Sequence, residues 1–441
     1  SPTANTTYTV TVTNSNTCTA TGTVSVIVNP LPSPTANNTG PYCVGTTIQL
    51  NSLGGSTYSW SGPNSFSSSS QSSTIVNVTM GMAGTYTVTM TGALLCLDFT
   101  VSAGTVTFAL GTTPTLAVSG SMSVIAGTVW SSTGVTTFNA TTSKTITSNG
   151  VSFSCPFTFN GVAGTWQLKD NLTSADLVTL TNGTLDINSK ILSCAAFASN
   201  NSNTRTIAFG TGSISLTRGS QPTIWDARTI TNLTTTGTPV VNVTYSGASG
   251  ATIYTGQLSE ANSISFNITA GTYALGFATG SSDTFKDLNL TGYSGTVTFL
   301  NNSPQTMVCY GSFTLSSGCT PVYATGAAFN FNATSGTKTI TSAGKTLPQV
   351  VINGSGGTFQ LQDNLSTTAS VTGFNFYNGT LDLNGKTLTV LSGKFTTAAG
   401  TKNITFNGGT IVCADTSNSW NNAVPTGFTT TAGTGTGKIS M

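Results

Sequence analysis

Nine residues from Gly164, GTWQLKDNL, return from Gly357 as GTFQLQDNL, with seven of the nine unchanged and a spacing of 193. The match is one point on a long register. KTITS at 144–148 returns at 338–342, NGTLDINSK at 182–190 returns as NGTLDLNGK at 378–386, and AGTVTFA at 103–109 is echoed by SGTVTFL at 294–300. Trp225 returns as Trp420, and all these offsets lie between 191 and 196. A unit near 195 residues therefore starts about residue 100 and restarts about 293. Self-similarity at a fixed period, carried by short strands, is the signature of stacked repeats that bury their apolar faces against one another. Inside the unit the rhythm is shorter. Gly164 and Gly183 open GTWQL and GTLDI 19 residues apart, and Gly357 and Gly379 stand 22 apart. NGTLDLNGKTLTV reads as strand, corner, strand with no hairpin signal. The expected fold over 101–292 and over an incomplete second unit at 293–441 is a parallel β-solenoid. About nine coils per unit, each rising roughly 4.8 Å, would build it. A further series of sandwiches is the competing fold.

The first hundred residues have a different texture. TYTVTVT at 7–13 alternates strictly, which predicts a half-buried strand, and TATGTVSVIV predicts its returning partner. The three prolines of NPLPSPT at 29–35 read as a stiff linker. The hairpin pattern recurs at a spacing of 78, TYTVTVTNSNTC at 7–18 matching TYTVTMTGALLC at 85–96. Three short strands lie between, including TYSWSGP around Trp60. This spacing predicts an immunoglobulin-like sandwich over 31–100, with Trp60 in its core, preceded at 1–30 by the last hairpin of a truncated one. The all-β expectation is thus sandwich modules followed by a solenoid, in a chain that continues beyond both ends.

Charge is the compositional anomaly. Only 5% of the 441 residues are Asp, Glu, Lys or Arg, the net charge is +2, and residues 1–97 carry no ionised side chain. Phosphate neutralisation needs clustered Lys and Arg, so nucleic acid is excluded as a partner. No run of 18 apolar residues exists to insert into a membrane. The chain has no histidine, which removes the commonest general base and metal ligand. Eight cysteines have no metal-site spacing. No catalytic, metal or cofactor site is expected. The Thr-rich, Lys-poor composition points to an extracellular surface.

The remaining candidates have a structural and a sharper reading. Asp170 recurs as Asp363 and Asp186 as Asp382, and carboxylates at turns commonly accept backbone N–H groups. The structural expectation is that these four cap coil corners; the sharper one is a duplicated catalytic pair. Lys190 and Lys386 follow Asp186 and Asp382 by four residues, so an ion pair across the corner is expected, or a glycan contact. Trp166 is Phe359 in the second copy, an exchange that suggests packing. Trp225 and Trp420 lie among Ser, Asn and Pro and are candidates for stacking on sugar rings. Cys43 and Cys96 fall in one predicted sandwich and are candidates for a disulfide.

Two resemblances follow from these motifs. TYTVTVTNSNTCTATGTVSVIVNPLPSPT and CVGTTIQLNSLGGSTYSWSGPNSF resemble the Ig/PKD-like tandem repeats of very large Bacteroidota cell-surface proteins. That likeness covers residues 1–100 and implies an exported adhesin or surface filament. TSGTKTITSAGKTL, GTFQLQDNL and NGTLDLNGKTLTV are similar to long solenoid repeats in giant secreted bacterial proteins and some phage-associated proteins. The functional expectation is a structural or adhesive segment of a large extracellular surface protein, binding glycans or a cell-surface protein or assembling with copies of itself. A phage fibre or virion appendage is the first alternative, and a β-helix enzyme that degrades polysaccharide is the second.

Overall fold

The computed structural model describes residues 6–13, 19–26, 35–38, 40–53, 57–91, 94–102, 106–110, 115–218, 220–277, 282–299, 306–368, 372–414, 420–421 and 427–441. Among the described residues the regular elements are strands and three short 3-10 turns, joined by turns and bends. The alternating segment Thr6–Thr13 pairs antiparallel with Thr19–Val26, Tyr8 opposite Val24. A second antiparallel sheet joins Thr35–Asn38, Ile48–Leu53 and Ser72–Ile75. In a third set, Thr57–Gly62 pairs antiparallel with Phe66–Ser68 and with Tyr86–Thr91. Trp60 is buried there, and its indole N–H donates to Ser70 O at 2.9 Å.

Tyr86–Thr91 marks the change of architecture. One edge pairs antiparallel with Thr57–Gly62 and the other pairs parallel with Val106–Leu110. Leu94–Cys96 and Phe99–Thr100 then pair parallel with Leu116–Val118 and Met122–Ser123. The parallel rungs therefore begin at Tyr86, inside the segment expected to close the sandwich at residue 100. The two look-alike hairpin sequences part company here. The first makes a hairpin; the second turns two corners and starts a coil.

From that point the chain is a parallel β-solenoid with three faces. The first face runs from Tyr86–Thr91 to Phe428–Thr431 through sixteen strands. The second runs from Leu94–Cys96 to Thr320–Tyr323 and again from Thr346–Leu347 to Lys438–Ser440, and the third from Phe99–Thr100 to Trp420–Asn421. Alternation explains the choice. Strands such as Ile214 between Ser213 and Ser215, or Leu388 between Thr387 and Thr389, put one residue in two inward. Inward residues of successive rungs then stack. Phe277, Phe299 and Tyr323 stack on the second face with centroids 5.3 and 5.9 Å apart, and Phe374, Phe395 and Trp420 on the third at 5.0 and 4.4 Å. Each fully buried Phe or Leu contributes about 1.5–3 kcal/mol, and one continuous core joins Ile48 to Cys413.

On the third face the ladder is interrupted between Leu233–Thr236 and Ser282–Phe285 by a segment containing the 3-10 turn Glu260–Asn262. Glu260 leaves this turn and accepts from Thr334, the backbone N–H at 3.2 Å and the hydroxyl at 2.7 Å, three rungs further along.

Corners set the tightest packing. Phe157–Leu168 bends at residues 160–164 and keeps its pairing on both sides, Phe157 to Phe159 under Val178 to Leu180 and Thr165 to Gln167 under Thr184 to Asp186. A Cβ on Gly161 or Gly164 would collide with Ala140 O, and one on Gly183 with the carbonyls of Gly161 and Gly164. Gly183 also sits at φ +79°, a left-handed conformation that favours glycine. Gly127 has a similar φ of +86° but open space around its Cβ direction. Gly183→Ala is expected to lower the melting temperature well beyond Gly127→Ala, the excess measuring the corner contact. Equal losses in thermal melts would assign the effect to φ alone.

Candidate functional site

The repeated carboxylates are turn caps. Asp170 accepts from Ser148 N at 2.8 Å and from Asn149 N. Asp363 accepts from Ser342 N at 2.8 Å, Ser342 Oγ at 3.0 Å and Gly344 N at 3.2 Å. Asp186 takes Asn188 N at 2.9 Å and Gln167 Nε2 at 2.9 Å; Asp382 takes Asn384 N at 2.9 Å and Gln360 Nε2 at 2.8 Å. An additional pair, Asp98 and Asp287, accepts from Ser121 N at 2.6 Å and Ser312 N at 2.7 Å on the following rung. These oxygens are committed to holding corners, the role expected of the first four.

Three other expectations are corrected. The ion pairs of Lys190 with Asp186 and Lys386 with Asp382 do not form; among the described residues the salt bridge is Arg228 with Asp226 at 2.7 Å. The corner instead aims each aspartate back at its own turn and at the glutamine one rung below, leaving the lysine half-exposed. Cys43 and Cys96 are not bridged. Cys43 is exposed, while Cys96 lies inside the first coil with its thiol toward Ala117 O at 3.6 Å. Burial pushes the Cys96 thiol up to about 12 and that of Cys155 up to about 11, so both stay protonated at neutral pH. Trp225 faces inward, fully buried and stacked on Phe197 at 4.9 Å, which removes it as a sugar platform. Trp420 occupies the equivalent interior stack on Phe395 and is half-buried.

An outward cluster that the repeats do not reveal lies on the second face and its corners. Arg228 chelates Asp226 through Nε at 2.8 Å and Nη2 at 2.7 Å, and its guanidinium lies 3.6 Å over the Tyr254 ring. Hydrogen bonding to Asp226 holds the Arg228 guanidinium above its usual range. Arg218 lies 5.3 Å over Tyr245 and donates to Gly250 O at 2.8 Å. Gln221 donates to Asp176 at 3.1 Å. The sequence signal was available: all three arginines fall between residues 205 and 228. The third, Arg205, is fully buried and donates to the carbonyls of Ser199, Asn203, Thr229 and Thr231. Its counterpart Lys402 is buried too, with Nζ 2.9 Å from Gly400 O. Both cations satisfy corner carbonyls and face no solvent.

Guanidinium groups over tyrosine rings beside a carboxylate offer apolar contact, directed donors and an acceptor, the chemistry that suits a polyhydroxylated ligand. Among the described residues no cluster of His, Cys, Asp or Glu could hold a metal ion. No family model, no curated protein and no solved structure matches the chain.

One carboxyl is out of pattern. Asp283 is 1% exposed and points into the core. One oxygen accepts from Thr255 Oγ1 at 2.9 Å and Thr255 N at 3.3 Å; the other has no partner. Burial pushes its pKa up to about 7, and the hydrogen bonds from Thr255 and Gly256 only partly oppose this. The folded value lies above the unfolded one, near 3.9. The stabilisation is therefore complete below the unfolded value and lost as pH rises through about 7. Asp283→Asn is expected to flatten the melting-temperature profile between pH 4 and 8 and to raise its alkaline end; an unchanged slope would place the titration elsewhere. Asp363→Ala, in contrast, removes a corner cap and is expected to cost on the order of 1 kcal/mol, read as a lower denaturation midpoint.

Proposed function

We propose that this chain is a structural segment of a large extracellular surface protein or filament, a rod that carries a binding surface for glycans. Antiparallel modules of immunoglobulin-like type would precede the rod. The observation that carries the reading is the use made of the acids. Six aspartates spaced along the coils, Asp98, Asp170, Asp186, Asp287, Asp363 and Asp382, serve the corners, and the core runs on beneath them without interruption. A carboxylate already holding a turn N–H is poorly placed to serve as a general acid or base. Sixteen rungs at roughly 4.8 Å give a rod of about 70 Å, and its outer face is threonine, serine and asparagine, which lets neighbouring surfaces approach without charge repulsion.

The Arg228, Asp226 and Tyr254 group supports the glycan part. Its side chains are outward and prearranged, with Asp226 also accepting from Arg228 N and Asn200 Nδ2, each at 3.4 Å. Arg228→Ala and Tyr254→Ala are expected to abolish retention on a polysaccharide panel while leaving melting unchanged. Retention that survives both changes would move binding away from this face. Small-angle scattering is expected to give a maximum dimension of about 100 Å or more, the coils together with the antiparallel modules before them; a maximum dimension matching a compact 441-residue sphere would count against a rod.

A further inference from the structure

The two copies of the repeat do not lie on the same face. GTWQL at 164–168 runs along the third face, where Thr165, Trp166 and Gln167 lie under Thr184, Leu185 and Asp186. GTFQL at 357–361 runs along the first face, continuing the ladder from Thr337–Thr341 to Gly379–Asp382. The same displacement holds along the unit. Ile191–Cys194 is on the first face and its counterpart Thr387–Val390 on the second. Trp225 is on the second and Trp420 on the third. Asp98 caps the third face and Asp287 the first, each with its donor serine one rung on and a glycine beside it, Gly120 or Gly311.

A count of strands gives the reason. Each bent strand is two positions, and the segment around Gly256–Asn262 is one. From Thr165–Leu168 to Thr358–Leu361 the chain then takes 25 steps from face to face. Three steps make a coil, so the unit is eight coils and one further face, where about nine whole coils were expected. We infer that the repeat acts as a one-third-turn screw, presenting the same polar ladder on two adjacent faces of one chain. The ladder is Thr165, Gln167 and Thr184 in one copy and Thr358, Gln360 and Thr380 in the other, each glutamine held by the aspartate of the next rung, Asp186 or Asp382, at 2.9 or 2.8 Å. The two ladders stand roughly 40 Å apart along the axis at about 4.8 Å per rung. The two ladders therefore face neighbouring sides of the rod, not one common side.

Spin-label distances test this in the full chain, with the exposed Cys43 and with Cys18 changed to Ser. Thr184→Cys on the third face is paired in turn with Thr380→Cys, Thr389→Cys and Lys394→Cys, which lie on the first, second and third faces of one later coil. Triangulation is expected to give the smallest lateral offset for Lys394, although Thr380 is the residue equivalent to Thr184. The smallest offset at Thr380 would overturn the screw. If a variant in this set fails to fold, Thr206→Cys with Asn403→Cys, Thr410→Cys and Asn421→Cys asks the same question one rung on, with Asn421 expected to lie on the face of Thr206 and Asn403 there overturning the inference.

Discussion

Each rung of the solenoid must place its backbone about 4.8 Å from the next, and that single spacing decides which side chains the chain can use. Parallel pairing in register sets like position over like position, so inward aromatics meet as stacks and outward amides meet as ladders. Asn182 donates to Asn160 at 2.7 Å and Asn378 to Asn353 at 2.9 Å for this reason. At the bent corners the same spacing leaves no volume for a Cβ, and Gly161, Gly164, Gly354 and Gly357 line the carbonyls of Ala140 and Ala333. Inside, the constraint is softer. Trp166 and Phe359 both fit, since each is flat and fully buried.

Much of this was legible in the sequence, because alternation and repetition are direct images of the rung geometry. Thr-Ile-Thr and Thr-Leu-Thr triplets report inward and outward positions without ambiguity, and the shared aspartates report corners. Other features depend on partners remote in the chain. TYTVTVT and TYTVTMT are almost the same strand, yet one pairs back on Thr19–Val26 and the other lies between Thr57–Gly62 and Val106–Leu110. Local pattern fixes a strand but not its neighbour. Cys43 and Cys96 are bridge candidates only if one sandwich holds both, and the first coil instead holds Cys96 inward. Trp225 sits in polar surroundings by sequence and in the core by structure, where it lies in register with Phe197 on one rung and Ile253 on the other. Asp283 gave no signal at all: a carboxyl in an inward position is known only from the stack above and below it.

The charged residues divide by where their counter-groups lie. Carboxylates find backbone N–H donors at turns, and the buried cations Arg205 and Lys402 find backbone carbonyls at the same kind of corner. In both cases the main chain, with its obligatory donors and acceptors, supplies the compensation that a second ion supplies elsewhere. A chain with 5% charged residues can afford few of either sign, and it spends most of them indoors or at bends. The Asp226–Arg228 pair is therefore conspicuous as a charged group turned outward with an aromatic ring beneath it.

The reach of Glu260 to Thr334 has a mechanical meaning. In a stack where each coil touches only the one before and the one after, an axial load can peel coils away singly, and resistance never exceeds that of one boundary. A side chain that clasps a loop three rungs away ties the intervening coils into one block. Pulling along the axis must then break that clasp together with the ladders it spans, so this stretch yields as a unit, like coils held by a rivet.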